Sequence, residues 1–138
     1  MKILIVGGGG REHAIAQTLY KQGHHLWCAP GNGGISQIAT CVPIKAIDVD
    51  EMVAYAEKEG FDLVMVAPDD PLAMGMVDKL NEKGIKAFGP NAAAAQIEAS
   101  KAFTKELLKK YNIPTGGFSV CDSAEQAYAV LESHPLPV

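Results

Sequence analysis

The sequence has few cysteines and no long hydrophobic run. Its three cysteines, Cys28, Cys41 and Cys121, are far apart, form no C-x-x-C motif and are odd in number, so we expect no disulfide framework. No apolar stretch approaches the ~20 residues that a membrane span needs. The apolar run after Lys2 is too short for the core of a signal peptide. These absences predict a cytoplasmic protein with reduced thiols and no membrane partner.

Concentrated positive charge is also missing. The chain has 12 Lys and Arg against 16 Asp and Glu, a net charge of −4, and no basic run, so nucleic acid is not an expected partner. The four histidines show no metal-binding spacing, and no Ser-His-Asp or Cys-His combination is evident. We therefore predict no catalytic residue and no metal ligand within the chain, and expect local donors to hold any bound phosphate.

The most informative stretch is the first thirteen residues, MKILIVGGGGREH. The apolar run Ile3–Val6 predicts a strand, the four glycines a tight turn, and the following residues the start of a helix, which together present backbone N–H groups to a phosphate. The turn could serve a dinucleotide, a mononucleotide or sugar phosphate, or no ligand. Glu12 replaces the third glycine of the dinucleotide motif, and no acid follows the second strand, so the pattern favours a sugar phosphate or mononucleotide.

Strand and helix patterns alternate through most of the chain, which predicts an α/β fold with a doubly wound parallel sheet. Predicted strands cover 3–6, 25–28, 41–44, 62–66, 85–88 and 118–120; predicted helices cover 12–22, 48–59, 72–83, 92–97, 101–111 and 124–133. Leu136 and Val138 resemble the beginning of a further strand, so we expect the chain to be the N-terminal piece of a longer protein.

Two further loops are predicted at the carboxyl edge of the sheet. The segment Pro30-Gly31-Asn32-Gly33-Gly34 follows the second strand and would lie beside the first glycine turn, as a second wall of a phosphate site or as a plain surface turn. After the fourth strand, we expect Asp70 to cap the next helix and Asp69 to be the better ligand candidate. Lys101 and Lys105 lie one helical turn apart, a spacing typical of a solvated face.

Several strings together resemble a known family. The chain carries, in order, G-G-G-G-R-E-H-A from Gly7, P-G-N-G-G from Pro30, A-P-D-D-P-L from Ala67, S-K-A-F-T-K from Ser100 and N-I-P-T from Asn112. This series resembles the N-terminal domain of the phosphoribosylamine–glycine ligases (glycinamide ribonucleotide synthetases), ATP-grasp enzymes of purine synthesis. Two departures stand out: Asp69 replaces the usual glutamate, and Gly33 replaces the usual alanine.

The resemblance implies a Rossmann-like substrate-binding domain over 1–99, followed over 100–138 by a linker helix and the start of a truncated ATP-grasp domain. In this family ATP phosphorylates glycine, and the amine of 5-phosphoribosylamine attacks the acyl phosphate. ATP and Mg²⁺, or Mn²⁺, would be bound mainly by later residues, so 1–138 alone is expected to be inactive. The remainder of the enzyme's own chain would be its protein partner.

The resemblance also implies site residues. Lys101 would face the nucleotide phosphates. The residues expected to bind the sugar phosphate are Gly8, Gly9, Gly10, Arg11, Glu12, Pro30, Gly31, Asn32, Gly33 and Asp69. Two alternatives remain: the N-terminal domain of another ATP-grasp purine enzyme, such as an aminoimidazole ribonucleotide carboxylase, or a free-standing nucleotide-sensing domain.

Overall fold

The computed structural model describes residues 1–133, and the predicted strand at Leu136 and Val138 lies outside them. Two compact units are present, one over Met1–Ala99 and a second that begins at Ser100. The strands are β1 (Lys2–Gly7), β2 (His25–Pro30), β3 (Thr40–Cys41), β4 (Leu63–Val66) and β5 (Ala87–Phe88). The helices are α1 (Gly10–Lys21), α2 (Val49–Glu59), α3 (Asp69–Ala73), α4 (Met76–Glu82), α5 (Ala92–Ala99), α6 (Lys101–Lys110) and α7 (Ala124–Ser133).

The first unit is a doubly wound α/β domain, which confirms the predicted fold class. Its five strands are parallel and lie in the order β3-β2-β1-β4-β5. From β1 the chain winds outward through β2 to β3, then returns through α2 to β4 on the other side of β1. The carboxyl ends of β1 and β4 therefore flank the topological switch point, where ligands bind in sheets of this kind.

Alternating side chains of β1 divide the core between the two faces of the sheet. Leu4 and Val6 pack in the cluster that contains the buried residues of α2 and α4, whereas Ile3 and Ile5 pack with Ala16 of α1. All four of these β1 side chains are at most 1% exposed. A strand apolar on both faces is typical of the centre of a parallel sheet.

Four sequence predictions about local structure were wrong. The helical pattern of 12–22 predicts Ala14 on one apolar face with Ile15 and Leu19, but Ala14 is exposed and Ala16 is the buried alanine of α1. The predicted helix over 72–83 is two helices, because Gly75 adopts a left-handed conformation between them. Asp70 does not cap, since α3 already begins at Asp69. Residues 118–120 form no strand with any described residue.

The second unit contains α6 and α7. Ser100 caps α6, because its Oγ accepts a hydrogen bond of 3.2 Å from the backbone N–H of Phe103. Ser123 caps α7 in the same way through the N–H of Gln126, also at 3.2 Å. Between the two helices the chain runs without regular secondary structure from Ile113 to Cys121. No helix within residues 1–133 combines the length and apolarity needed to cross a membrane.

Candidate functional site

Three loops meet at the carboxyl edge of the sheet. The loop after β1 lies between the loop after β2 and the loop after β4, because β1 is the central strand of the sheet. The residues predicted to bind the sugar phosphate lie in these loops or in the first turn of the helix that follows, except Pro30, which is the last residue of β2. The structure therefore brings the predicted residues of the first unit together.

The two glycine-rich loops approach closely. The Gly31 N–H donates a hydrogen bond of 3.0 Å to the Gly7 carbonyl oxygen, which continues the β1–β2 ladder past the strands. A Cβ on Gly8 would overlap the Gly31 carbonyl oxygen, and a Cβ on Gly31, whose φ is +74°, would overlap the Cys41 sulfur. Glycine at positions 8 and 31 is therefore a steric requirement of this approach.

The Asn32 side chain ties the same loops together. Its Nδ2 donates to the Gly8 carbonyl oxygen at 2.8 Å, and its Oδ1 accepts from the backbone N–H groups of Gly34 and Ile35, each at 2.9 Å. An asparagine amide has two donor hydrogens and one acceptor oxygen. Three of its interactions are thus internal, so the Asn32 side chain shapes the site, and its backbone N–H is the group that could contact a ligand.

Glu12 is buried beneath the first loop. It is only 4% exposed, and its Oε2 accepts a hydrogen bond of 2.6 Å from the Gly9 N–H. Its side chain fills the space beside Gly7 and Gly9, where added Cβ atoms would lie 2.8 Å from Glu12 atoms. Glu12, which replaces the third glycine of the dinucleotide motif, therefore supports the loop from the protein interior. Its carboxylate does not face solvent.

Arg11 and Asp69 form an ion pair across the switch point. The Arg11 guanidinium lies 3.4 Å from Asp69 Oδ1, and its Nε lies 3.7 Å from Glu12 Oε1. The Arg11 and Asp69 side chains are 58% and 42% exposed. Two residues of the predicted sugar-phosphate-binding set thus contact each other. Residue identities alone could not reveal this pairing, since 58 positions separate the two.

Several backbone donors of the loops have no acceptor among the described residues. They are the N–H groups of Gly8, Gly10, Arg11, Asn32 and Gly33. Two of them belong to the first turn of α1, where the helix dipole favours an anion. Pro30 has no N–H and can only position the loop. Free N–H groups from two neighbouring loops suit a phosphate.

Three residues not predicted to bind ligand also shape these loops. The His13 ring lies against Gly34, where an added Cβ would overlap it. The Cys28 thiol donates a hydrogen bond of 3.2 Å to the Gly7 carbonyl oxygen, and burial raises the pKa of this thiol to about 12. Cys41 lies beneath Gly31. Their spacing along the chain carries no motif that would have indicated these contacts.

The second unit contains the predicted nucleotide-facing lysine. Lys101 is the first residue of α6, is exposed and makes no ion pair with any described residue. Lys105, one turn later, donates to Thr115 Oγ1 at 2.7 Å and to the Gly116 carbonyl oxygen at 3.1 Å. Of these two lysines, Lys101 is the one whose ammonium group has no hydrogen bond or ion pair with a described residue. No group of three or more His, Cys, Asp or Glu in the described part of the chain is arranged to hold a metal ion.

Comparisons with known proteins agree with this geometry. The sequence profile of the phosphoribosylglycinamide synthetase N domain matches residues 1–98. The chain is 42% identical over 140 residues to a phosphoribosylamine–glycine ligase of Halalkalibacterium halodurans, covering all of this chain and 33% of that protein. It is 44% identical over 142 residues to one from a Nostoc species, again covering 100% of this chain and 33% of the relative. The chain thus spans about a third of the length of these curated relatives.

Solved structures give the same result. The crystal structure of phosphoribosylamine–glycine ligase from Thermotoga maritima superposes with a TM-score of 0.73 at 27% identity, covering 98% of this chain and 31% of that one. An N5-carboxyaminoimidazole ribonucleotide synthetase from Thermus thermophilus shares the fold, with a TM-score of 0.73 at 22% identity, over 98% of this chain and 37% of its own. The family profile covers most of the chain, which therefore belongs to the phosphoribosylglycinamide synthetase N-domain family.

Proposed function

We propose that this chain is the sugar-phosphate-binding domain of a phosphoribosylamine–glycine ligase of purine synthesis. The complete enzyme would use ATP to phosphorylate the glycine carboxylate. The amine of 5-phosphoribosylamine would then displace phosphate from the acyl phosphate and form glycinamide ribonucleotide. Identity of about 40% to such ligases over the whole chain supports this assignment over another ATP-grasp purine enzyme, since a structural neighbour of that second kind is only 22% identical.

The observation that carries the proposal is the set of free N–H groups in the loops after β1 and β2. Those of Gly8, Gly10 and Arg11 come from one loop, and those of Asn32 and Gly33 from its neighbour, so a phosphate between the loops could accept several hydrogen bonds at once. Backbone donors do not have to be ordered when the ligand arrives, because the loop contacts already hold them. This arrangement binds the substrate's phosphate and leaves its amine to be presented to the acyl phosphate.

The predicted residues would have two different roles: some would contact the ligand, and others would shape the loops. Gly8, Gly10, Arg11, Asn32 and Gly33 would contact the phosphate, and Asp69 would contact the ribose or amine. Gly9, Glu12, Pro30 and Gly31 would act by shaping the loops, because the Gly9 and Gly31 N–H groups and the Glu12 carboxylate are already bonded within the protein.

ATP and Mg²⁺ would be bound mainly by residues outside this chain. We propose that residues 1–99 bind the sugar phosphate and that 100–138 begin the ATP-grasp domain, with the free Lys101 ammonium facing nucleotide phosphates. One structural relative, a biotin carboxylase domain, was crystallised with MgADP, although at 19% identity it supports only a common fold. The ATP and its metal would activate glycine, while the first unit would orient the attacking amine. We also propose that the substrates are small molecules and that the protein is cytoplasmic. Its protein partner would be the remainder of its own chain.

The test is an ADP-release assay on the full-length protein that contains this chain. We expect ADP release to require both glycine and phosphoribosylamine, and mass spectrometry to detect glycinamide ribonucleotide. Release that instead requires aminoimidazole ribonucleotide and bicarbonate would contradict the proposal and support the other purine enzyme. Full activity without any sugar phosphate would contradict both.

A further inference from the structure

Arg11 lies between two carboxylates that differ in exposure and in hydrogen bonding. Glu12 is buried and fixed by the hydrogen bond from Gly9, whereas the Asp69 side chain is 42% exposed and has no other bonding partner in the described structure. The cluster of Arg11, Glu12 and Asp69 thus carries two negative charges and one positive charge. It therefore has a net negative charge at the place where the free N–H groups would attract an anion.

The Arg11–Asp69 pair is easily exchanged. Its separation is 3.4 Å and both side chains are well exposed, and pairs of this kind strengthen an interaction by no more than about fivefold. The long arginine side chain can swing to another acceptor without moving the backbone. A ligand phosphate that takes the guanidinium would leave Asp69 without its counter-charge.

We propose that Asp69 determines specificity by competing with the ligand's phosphate for Arg11. This inference rests on the proposed function. Once Arg11 has moved, the Asp69 carboxylate has lost its ion pair. A phosphate ester that also carries N–H or O–H donors replaces that lost interaction, because the carboxylate accepts hydrogen bonds from them. Inorganic phosphate has no sugar, so it places no hydroxyl or amine donor next to Asp69 when its phosphate is bound. The site therefore discriminates against free phosphate and favours phosphorylated sugars that bear hydroxyl or amine groups.

The experiment compares two probes, inorganic phosphate and ribose 5-phosphate, by NMR titration of the full-length protein. In Asp69→Asn, which keeps the shape but removes the charge, we expect inorganic phosphate to bind about two- to fivefold tighter and ribose 5-phosphate to bind no tighter. The preference for the sugar phosphate then falls at least twofold. Asp70→Asn removes a neighbouring exposed charge that forms no ion pair with Arg11 and should leave the preference unchanged.

The Arg11→Gln background separates exchange from simple repulsion. If Asp69 acts through Arg11, the gain in phosphate affinity on Asp69→Asn disappears in the double variant. A gain that persists without Arg11, no gain at all, or equal weakening of both probes would overturn the exchange while leaving sugar-phosphate binding established. Failure of wild-type protein to bind ribose 5-phosphate would overturn the proposed function, and the exchange with it.

Discussion

The backbone carbonyl oxygen of Gly31 fills the space where a side chain on Gly8 would begin. This contact holds the loop after β1 against the loop after β2, on the edge of the sheet where the free N–H groups are found. The distance between the free N–H groups of the two loops therefore depends on this contact. It leaves no room for a side chain at position 8, not even the methyl group of alanine.

We predict that Gly8→Ala separates the loops. Its φ is not in the left-handed region, so the effect is steric, and the overlap with backbone should destabilise the protein by about 1–3 kcal/mol. Gly10→Ala is the matched control for stability, because a Cβ there meets no atom within 4 Å, and its effect should stay within about 0.5 kcal/mol. Urea unfolding measures both. Equal stability of the two variants would show that the loops do not interlock.

Glu12 should be more important as a hydrogen-bond acceptor than as a charge. Glu12→Gln keeps an oxygen for the Gly9 N–H, whereas Glu12→Ala leaves that donor unsatisfied and opens a cavity. We expect Glu12→Ala to lose about 1–3 kcal/mol of stability and Glu12→Gln to lose clearly less. Thermal unfolding of the two variants provides the comparison. A glutamine variant as unstable as the alanine variant would mean that the charge next to Arg11 dominates.

Asn32→Asp should weaken ligand binding by changing one atom. The new carboxylate keeps both accepted hydrogen bonds. Its second oxygen, however, replaces Nδ2, which now lies 2.8 Å from the Gly8 carbonyl oxygen, so two oxygens would face each other there. We expect at least a tenfold loss of ribose 5-phosphate affinity, from loop displacement and added negative charge. Asn91→Ala is the control: it removes the side-chain bond to Ala94 in α5 and should cost stability without changing affinity. Unaltered affinity in Asn32→Asp would contradict the role given to this side chain.

The Cys28 thiol makes stability depend on pH in alkaline solution. Burial raises its pKa from 9.0 to about 12 in the folded protein, so the unfolded chain loses this proton first. Stability from the protonated thiol is present below about pH 9 and falls as pH rises towards 12. Between pH 8 and 10 the loss should be about 1 kcal/mol.

Urea unfolding of Cys28→Ala at both pH values isolates this contribution, because other titrating groups are common to both proteins. The alanine variant should be less stable at pH 8 but lose less on going to pH 10. Cys121→Ala, which changes a cysteine of the second unit, should keep the wild-type pH dependence. Identical pH slopes for wild type and Cys28→Ala would contradict a raised thiol pKa.

The fold could be predicted from the sequence because its signals are local. Apolar runs bounded by glycine and proline identified the strands, and their alternation with helices implied parallel pairing. The errors arose where tertiary context decides. In the sequence, Gly75 looks like a glycine tolerated within a helix. In the structure it adopts a left-handed conformation, which separates α3 from α4. Ala14 and Ala16 cannot be distinguished by composition, and only packing on β1 selects Ala16.

The site was predictable only in part. The sequence identified the three loops, since glycine, proline and acidic residues follow β1, β2 and β4. It could not show that Glu12 bonds to Gly9, that Asn32 bonds to Gly8 or that Arg11 pairs with Asp69, because each contact depends on how side chains orient in space. A motif names the residues of a site, and the structure separates those that can meet a ligand from those that hold the loops.

The most direct test of the sugar-phosphate site is an NMR titration of the ¹⁵N-labelled full-length protein with ribose 5-phosphate. We expect the amide signals of Gly8, Gly10, Arg11, Asn32 and Gly33 to shift together with one dissociation constant, whereas those of Gly23 and Gly60, at the far ends of α1 and α2, do not move. Saturable binding that leaves the five loop amides unchanged and shifts signals elsewhere would contradict this prediction.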